Sequence, residues 1–98
     1  MGAVRQIESL TANPVEIEIM TNVFFELGFI HLGDKKVFIK QINNGEYIRI
    51  SFSIYNTIKS MIGVFGHSSF DLRNSPEHKR ESAKIVNRLL QKYNEISE

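Results

Sequence analysis

The segment "VFGHSSFDLRNSPEH" (residues 64–78) holds two histidines, three serines and an aspartate, the residue types of a hydrolytic triad. A triad needs a base within hydrogen-bond reach of the hydroxyl and an acid that orients the base. His67 and Ser68 are adjacent in the chain, and adjacent side chains diverge. The serines also lack the Gly-x-Ser-x-Gly elbow that exposes a nucleophile. We therefore expect polar turn residues and a helix cap here; the weaker alternative is an enzyme that uses His67 or His78 with Asp71.

The sequence gives as little support for a metal or cofactor site as for a hydrolytic triad. The three histidines, His31, His67 and His78, form no i, i+4 or i, i+2 pair, and no carboxylate completes a recognisable ligand spacing. The "GVFG" sequence lacks the Gly-Lys-Ser/Thr of a phosphate-binding loop. The absence of cysteine excludes disulfides and thiolate chemistry. We expect a protein that is not an enzyme, with no metal, no cofactor and no small-molecule substrate.

Length and charge restrict the class of protein. The 98 residues fit one domain, residues 1–98, and the 42% hydrophobic and 23% charged content is that of a globular domain. A formal net charge of +1 supplies no general attraction to nucleic acid or to an anionic membrane. The N-terminus has no secretory apolar region, and no apolar run approaches the roughly 18 residues that span a bilayer. A soluble cytoplasmic protein is expected.

Four segments carry strand patterns. Residues 15–20 ("VEIEIM") alternate apolar and acidic, and residues 23–32 ("VFFELGFIHL") are rich in β-branched and aromatic types. Residues 36–43 and 46–53 flank Asn44-Gly45, a pair that favours a two-residue type I′ turn. Such a turn fixes the register. It predicts facing pairs Asn43–Glu46, Ile39–Ile50 and Val37–Phe52 on the inner face, and Ile42–Tyr47, Lys40–Arg49 and Phe38–Ser51 on the outer face.

Helical patterns precede and follow these strands. A short helix is predicted over residues 4–10 and another over residues 55–65, the second ended by Gly66. Ser75 as N-cap and Pro76 at the first helical position begin a long amphipathic C-terminal helix. Phe70, between them, is an apolar residue that either anchors the connection to the core or docks on a partner. The predicted fold is α+β: a four-stranded antiparallel β-meander followed by a short helix and a longer C-terminal helix packed on one face of the sheet.

The outer sheet face is the predicted working surface. Two cations facing each other across a ladder repel, so either Glu18, Glu26 or an anionic partner should compensate. The aromatics could be covered by a helix, a second subunit, another protein or single-stranded nucleic acid. We expect a small binding or regulatory module that acts through protein–protein interaction, with a homodimer as one form; the alternative is a single-stranded nucleic-acid-binding domain on the same face. The predicted partner-binding residues are Phe38, Lys40, Ile42, Tyr47, Arg49 and Tyr55.

Overall fold

The computed structural model describes residues 14–33 and 36–97, so the predicted helix of residues 4–10 lies outside the described residues. Their architecture is α+β, as predicted, but the antiparallel sheet has three strands in the order β1-β2-β3. No helix in these two ranges is long and apolar enough to cross a bilayer. The elements are α1 (Pro14–Glu26), β1 (Ile30–His31), β2 (Val37–Asn43), β3 (Glu46–Ser51), α2 (Ile58–Phe70) and α3 (Pro76–Ile96).

The strand predicted over residues 15–20 is wrong, because these residues form the first half of α1. The buried residues of α1 are Met20, Val23 and Phe24, which fall on one face of a helix at i, i+3 and i+4. The six residues 15–20 are too few to distinguish the two-residue period of a strand from the 3.6-residue period of a helix. The helical period continues through Val23 and Phe24. The predicted strand over residues 23–32 therefore shrinks to the two residues of β1, after a turn in which Gly28 has a φ of +92°.

The predicted hairpin is present, but its register is not the predicted one. Asn43 faces Glu46 across the turn as expected, and Gly45 has a φ of +88°. Ile42 then forms a β-bulge, since Gln41 is the next β2 residue with a partner. A one-residue slip turns every later side chain to the opposite face of the sheet. The observed pairs are Gln41–Tyr47, Lys40–Ile48, Ile39–Arg49, Phe38–Ile50 and Val37–Ser51, in place of those predicted.

The core lies between the inner face of the sheet and the helices. Phe24 of α1 is fully buried at its centre, with four aromatic neighbours at ring-centroid distances from 4.8 to 5.9 Å. The long helix α3 adds Ile85 and Leu89, both 0% exposed, and packs against β2. The four aromatic neighbours of Phe24 are Phe29, Phe38, Phe52 and Phe65.

The caps of the last two helices follow from local sequence. Thr57 accepts a hydrogen bond from the Ser60 backbone N–H at 3.1 Å, while the Ser60 hydroxyl accepts one from the Thr57 N–H at 3.2 Å. The predicted end of this helix at Gly66 is wrong, because α2 continues to Phe70 and packs along α3. Tertiary packing outweighs the weak helix propensity of glycine here. The start of α3 is confirmed, with Ser75 as N-cap and proline in the first helical turn.

Candidate interaction surfaces

The bulge at Ile42 separates the predicted partner-binding residues of the hairpin, and Tyr55 lies beyond the end of β3. Tyr47 and Arg49 remain on the outer face, where Tyr47 is 60% exposed and Arg49 is also exposed. Their outer-face neighbour Ile30 is 64% exposed. The predicted cluster of aromatic and basic residues on one face therefore does not form. The other four predicted residues, Phe38, Lys40, Ile42 and Tyr55, are buried or partly buried towards the core and α3.

The charge of Lys40 is neutralised within the chain. Its Nζ donates to Glu81 Oε1 of α3 at 2.8 Å, and Lys84 Nζ lies 3.3 Å from the other carboxylate oxygen. Burial raises the pKa of Glu81, but the hydrogen bonds and charges of the two lysines outweigh it and hold that pKa below its usual value. The expected repulsion between Lys40 and Arg49 consequently does not arise, because the two cations lie on opposite faces. Glu26, one of the acids expected to compensate them, pairs with Arg88 of α3 instead.

The connection between α2 and α3 displays two apolar side chains. Phe70 is 84% exposed and Leu72 is 89% exposed, the highest values among the large apolar residues of the described ranges. We call residues 70–75 the α2–α3 tip. Of the two alternatives for Phe70, anchoring to the core is thus contradicted.

The α2–α3 tip is held by its own hydrogen bonds. The Asp71 carboxylate accepts three bonds from Arg73: from the backbone N–H at 2.9 Å, from Nε at 3.0 Å and from one terminal nitrogen at 2.8 Å. These bonds hold the pKa of Asp71 well below its usual value. The Asn74 amide donates to the Ser68 carbonyl at 3.0 Å, which ties the turn to the last turn of α2. These hydrogen bonds brace the backbone that carries Phe70 and Leu72.

The base of the tip is joined to the β2–β3 turn. The Ser75 hydroxyl caps α3 by accepting from the His78 N–H at 3.1 Å, and it donates to the Glu46 carboxylate, whose oxygens lie 2.8 and 3.0 Å away. The Asn43 amide donates to the same carboxylate at 2.6 Å. The hydroxyl of Ser75, followed by the amide of Asn43, lowers the pKa of Glu46. One carboxylate thus links the helix cap to the hairpin turn and fixes the direction in which the tip projects.

The residues of the suspected triad do not assemble into one. His67 Nε2 lies 3.9 Å from Asp71 Oδ2, with the His67 side chain 79% exposed and the carboxylate already bonded to Arg73. His78 Nδ1 lies 3.4 Å from the hydroxyl of Ser82, one turn along α3. In the part of the chain that the structure describes, no three His, Cys, Asp or Glu residues are grouped so as to hold a metal.

A small cleft lies between α1 and the sheet. Its volume is about 160 Å³, and its lining is almost entirely apolar. Two aromatic rings form one side of it, since His31 stacks on Phe38 at a centroid distance of 4.7 Å. None of the described residues that line the cleft is an aspartate or a glutamate. Its lining residues are Ile17, Thr21, His31, Lys36, Phe38 and Phe52.

Comparisons of the chain with protein-family models, with curated proteins and with solved structures found no match. Among the large apolar residues in the described ranges, the two most exposed, Phe70 and Leu72, lie in a segment that the sequence predicts to be a connector. Leu72 is absent from the predicted surface, although its separation from Phe70 by one charged residue is visible in the sequence. Two apolar residues in a short polar connection either pack into the core or are exposed to solvent. Only the tertiary structure distinguishes these alternatives.

Proposed function

We propose that this chain is a small, non-enzymatic protein-binding module and that the α2–α3 tip is its docking site. The observation that carries the proposal is the exposure of Phe70 and Leu72, 84% and 89%, on a turn with a fixed backbone. Clustered exposed apolar side chains on a folded domain mark interaction sites. A turn that is already ordered loses little conformational entropy when it binds, so more of the contact energy appears as affinity.

The chemistry of the tip specifies its partner. Phe70 and Leu72 require an apolar pocket that admits one aromatic ring and one branched side chain. Arg73, whose side chain is 86% exposed, uses two of its guanidinium N–H groups on Asp71. A guanidinium has five such donors, so three remain for acceptors at the rim of the pocket. We therefore propose a protein partner with an apolar pocket bordered by carboxylates or backbone carbonyls.

A random peptide library panned against the immobilised protein tests this proposal without a known partner. We expect enriched peptides that combine large apolar residues with Asp or Glu, and that bind at least about tenfold more weakly to Phe70→Asp and Leu72→Asp. Ile96→Asp is the matched control, because Ile96 is 45% exposed and lies at the far end of α3, about 30 Å along the helix. Enriched peptides that bind both tip variants as well as the wild type would contradict the proposal.

The nucleic-acid alternative has less support. Single-stranded nucleic acid is bound by aromatic rings and cations arranged together on one face. Tyr47 and Arg49 are the predicted residues that stay on the outer face, and Lys40 is paired with Glu81 on the other side. Oligonucleotide binding that falls steeply with added salt and is lost in Tyr47→Ala would favour this alternative over the protein-binding proposal.

A further inference from the structure

Strand β3 forms a free edge of the sheet. It follows β2 at the end of the strand order, and nothing in the described ranges pairs with its other side. The Phe52 N–H donates to the Lys36 carbonyl at 2.7 Å, which places these two residues in a hydrogen-bonded pair of the β2–β3 register. Backbone groups alternate in direction along a strand, so the N–H and C=O groups of Ile48 and Ile50, like those of Phe52, point towards β2. The N–H and C=O groups of Tyr47, Arg49 and Ser51 consequently point away from the sheet.

Most of these outward groups are unoccupied within the described residues. The Ser51 carbonyl accepts from the Tyr55 N–H at 3.1 Å, which closes the turn after β3. Outside the ladder with β2, the N–H and C=O groups of Tyr47 and Arg49 have no hydrogen-bond partner in the described ranges. Edge strands are commonly blocked by charged side chains, above all lysine, by proline or by a bulge within the strand. The charge at the centre of the β3 edge is Arg49, which lies two residues from the exposed ring of Tyr47. The β3 sequence EYIRIS contains no lysine or proline, and the bulge lies in β2.

We propose that β3 pairs antiparallel with β3 of a second copy of this chain, about a two-fold axis through Ile48. In this register the exposed Tyr47 of each copy faces Arg49 of the other, so an aromatic ring and a guanidinium meet twice on the outer face. Ile48 faces its own counterpart in a non-hydrogen-bonded pair, the arrangement in which facing side chains are closest. The two three-stranded sheets then form one continuous sheet of six strands.

Alternative registers fit less well. A two-fold axis through Arg49 places the two guanidinium groups opposite each other, which is repulsive. An axis through Tyr47 pairs Arg49 with Gly45, whose φ of +88° takes it out of the strand. The axis through Ile48 pairs residues 46–50 of the two strands with one another and sets Tyr47 against Arg49. Ser51, whose carbonyl is already bonded to the Tyr55 N–H, lies outside this pairing. A second copy therefore fits this edge because the strand is complementary to itself.

Cysteine cross-linking tests the register directly, because the chain has no cysteine of its own. A Tyr47→Cys chain is mixed with an Arg49→Cys chain under mild oxidation. Facing residues of a hydrogen-bonded pair have Cα atoms about 5.5 Å apart, within the range that a disulfide spans. Two copies of the same variant place their cysteines diagonally, at roughly 8 Å, which is too far. We expect the mixed disulfide to form in clear excess over both homodisulfides.

Sedimentation equilibrium at up to millimolar concentration tests the association itself. The average mass should rise from 11.3 kDa towards twice that value. Tyr47→Lys sets a cation against Arg49 of the other copy and should weaken association at least about tenfold, whereas Tyr47→Lys combined with Arg49→Glu should restore it. A wild type that stays monomeric, a double variant that is not restored, or homodisulfides that form as readily as the mixed one would each overturn the proposal. Phe70→Asp should leave the dimer intact, which separates this test from that of the α2–α3 tip.

Discussion

Replacement of Phe70 by alanine should change the free energy of unfolding very little, although phenylalanine is among the largest apolar residues. Phe70 is 84% exposed, so about one sixth of its surface is covered. Full burial of such a side chain contributes up to about 3 kcal/mol, which limits the loss in Phe70→Ala to about 0.5 kcal/mol. Phe65, one helical turn and a residue earlier in α2, is 3% exposed and lies 5.9 Å from the ring of Phe24. Phe65→Ala should lose about 3–5 kcal/mol.

Equilibrium urea unfolding of the two variants and the wild type measures this difference. Both unfolding curves should keep the wild-type slope, so that the change in midpoint reports stability alone. A loss above about 1.5 kcal/mol in Phe70→Ala would show that the ring is buried, and the tip could not then be a display site. Equal losses in Phe65→Ala and Phe70→Ala would refute the reasoning in the same way.

Three further predictions concern the elements that hold the tip and the sheet. Gly66→Ala should raise the free energy of unfolding by about 0.5–1 kcal/mol, seen as a higher Tm, because the added Cβ meets nothing within 4 Å inside α2. Ser75→Ala should lower it by about 1 kcal/mol in urea unfolding, since both the α3 cap and the bond to Glu46 are lost. Because the pKa of Glu81 is lower in the folded state than its usual 4.5, its ionised form stabilises the fold above that pH, and this contribution is lost as the pH falls through the folded pKa. Glu81→Gln should therefore show a shallower loss of stability on acidification below pH 4.5 in a pH series of unfolding curves.

The opposite result for each of these three variants would contradict one contact described above. A destabilised Gly66→Ala would mean that α2 and its neighbours approach more closely than described. A neutral Ser75→Ala would mean that the link between the α3 cap and the hairpin turn contributes nothing. If Glu81→Gln followed the wild-type curve below pH 4.5, the pairing of Lys40 with Glu81 would be incorrect, and Lys40 would be free to face outwards.

Features set by two or three neighbouring residues were predictable from the sequence. Asn44-Gly45 dictates a turn because it tolerates positive φ, and Ser75-Pro76 begins a helix because a hydroxyl cap and a fixed φ suit that position. Features that depend on tertiary packing were not predictable from the sequence. The bulge at Ile42 has no signal among the turn residues, yet it decides which face of the sheet carries Phe38 and Lys40.

The candidate site shows the same division. Tyr47 and Arg49 remain on the predicted outer face because they belong to β3. The bulge lies in β2, so it reverses the faces of the β2 residues only. Phe70 could be singled out from the sequence as an apolar residue in a polar connection, but its exposure depends on where α2 ends. That end lies beyond both glycines of α2, and the packing of α2 along α3 sets it.

Site-specific photo-cross-linking in the cells that naturally produce the chain tests the central claim most directly. A photoreactive phenylalanine analogue is placed at position 70, and separately at position 96 as the control on the same helix hairpin. The proposed function predicts a discrete protein adduct from position 70 that is absent from position 96 and is lost when Leu72→Asp is added. Adducts of equal yield from both positions, or an adduct at position 70 that survives Leu72→Asp, would contradict the assignment of the α2–α3 tip as the docking site.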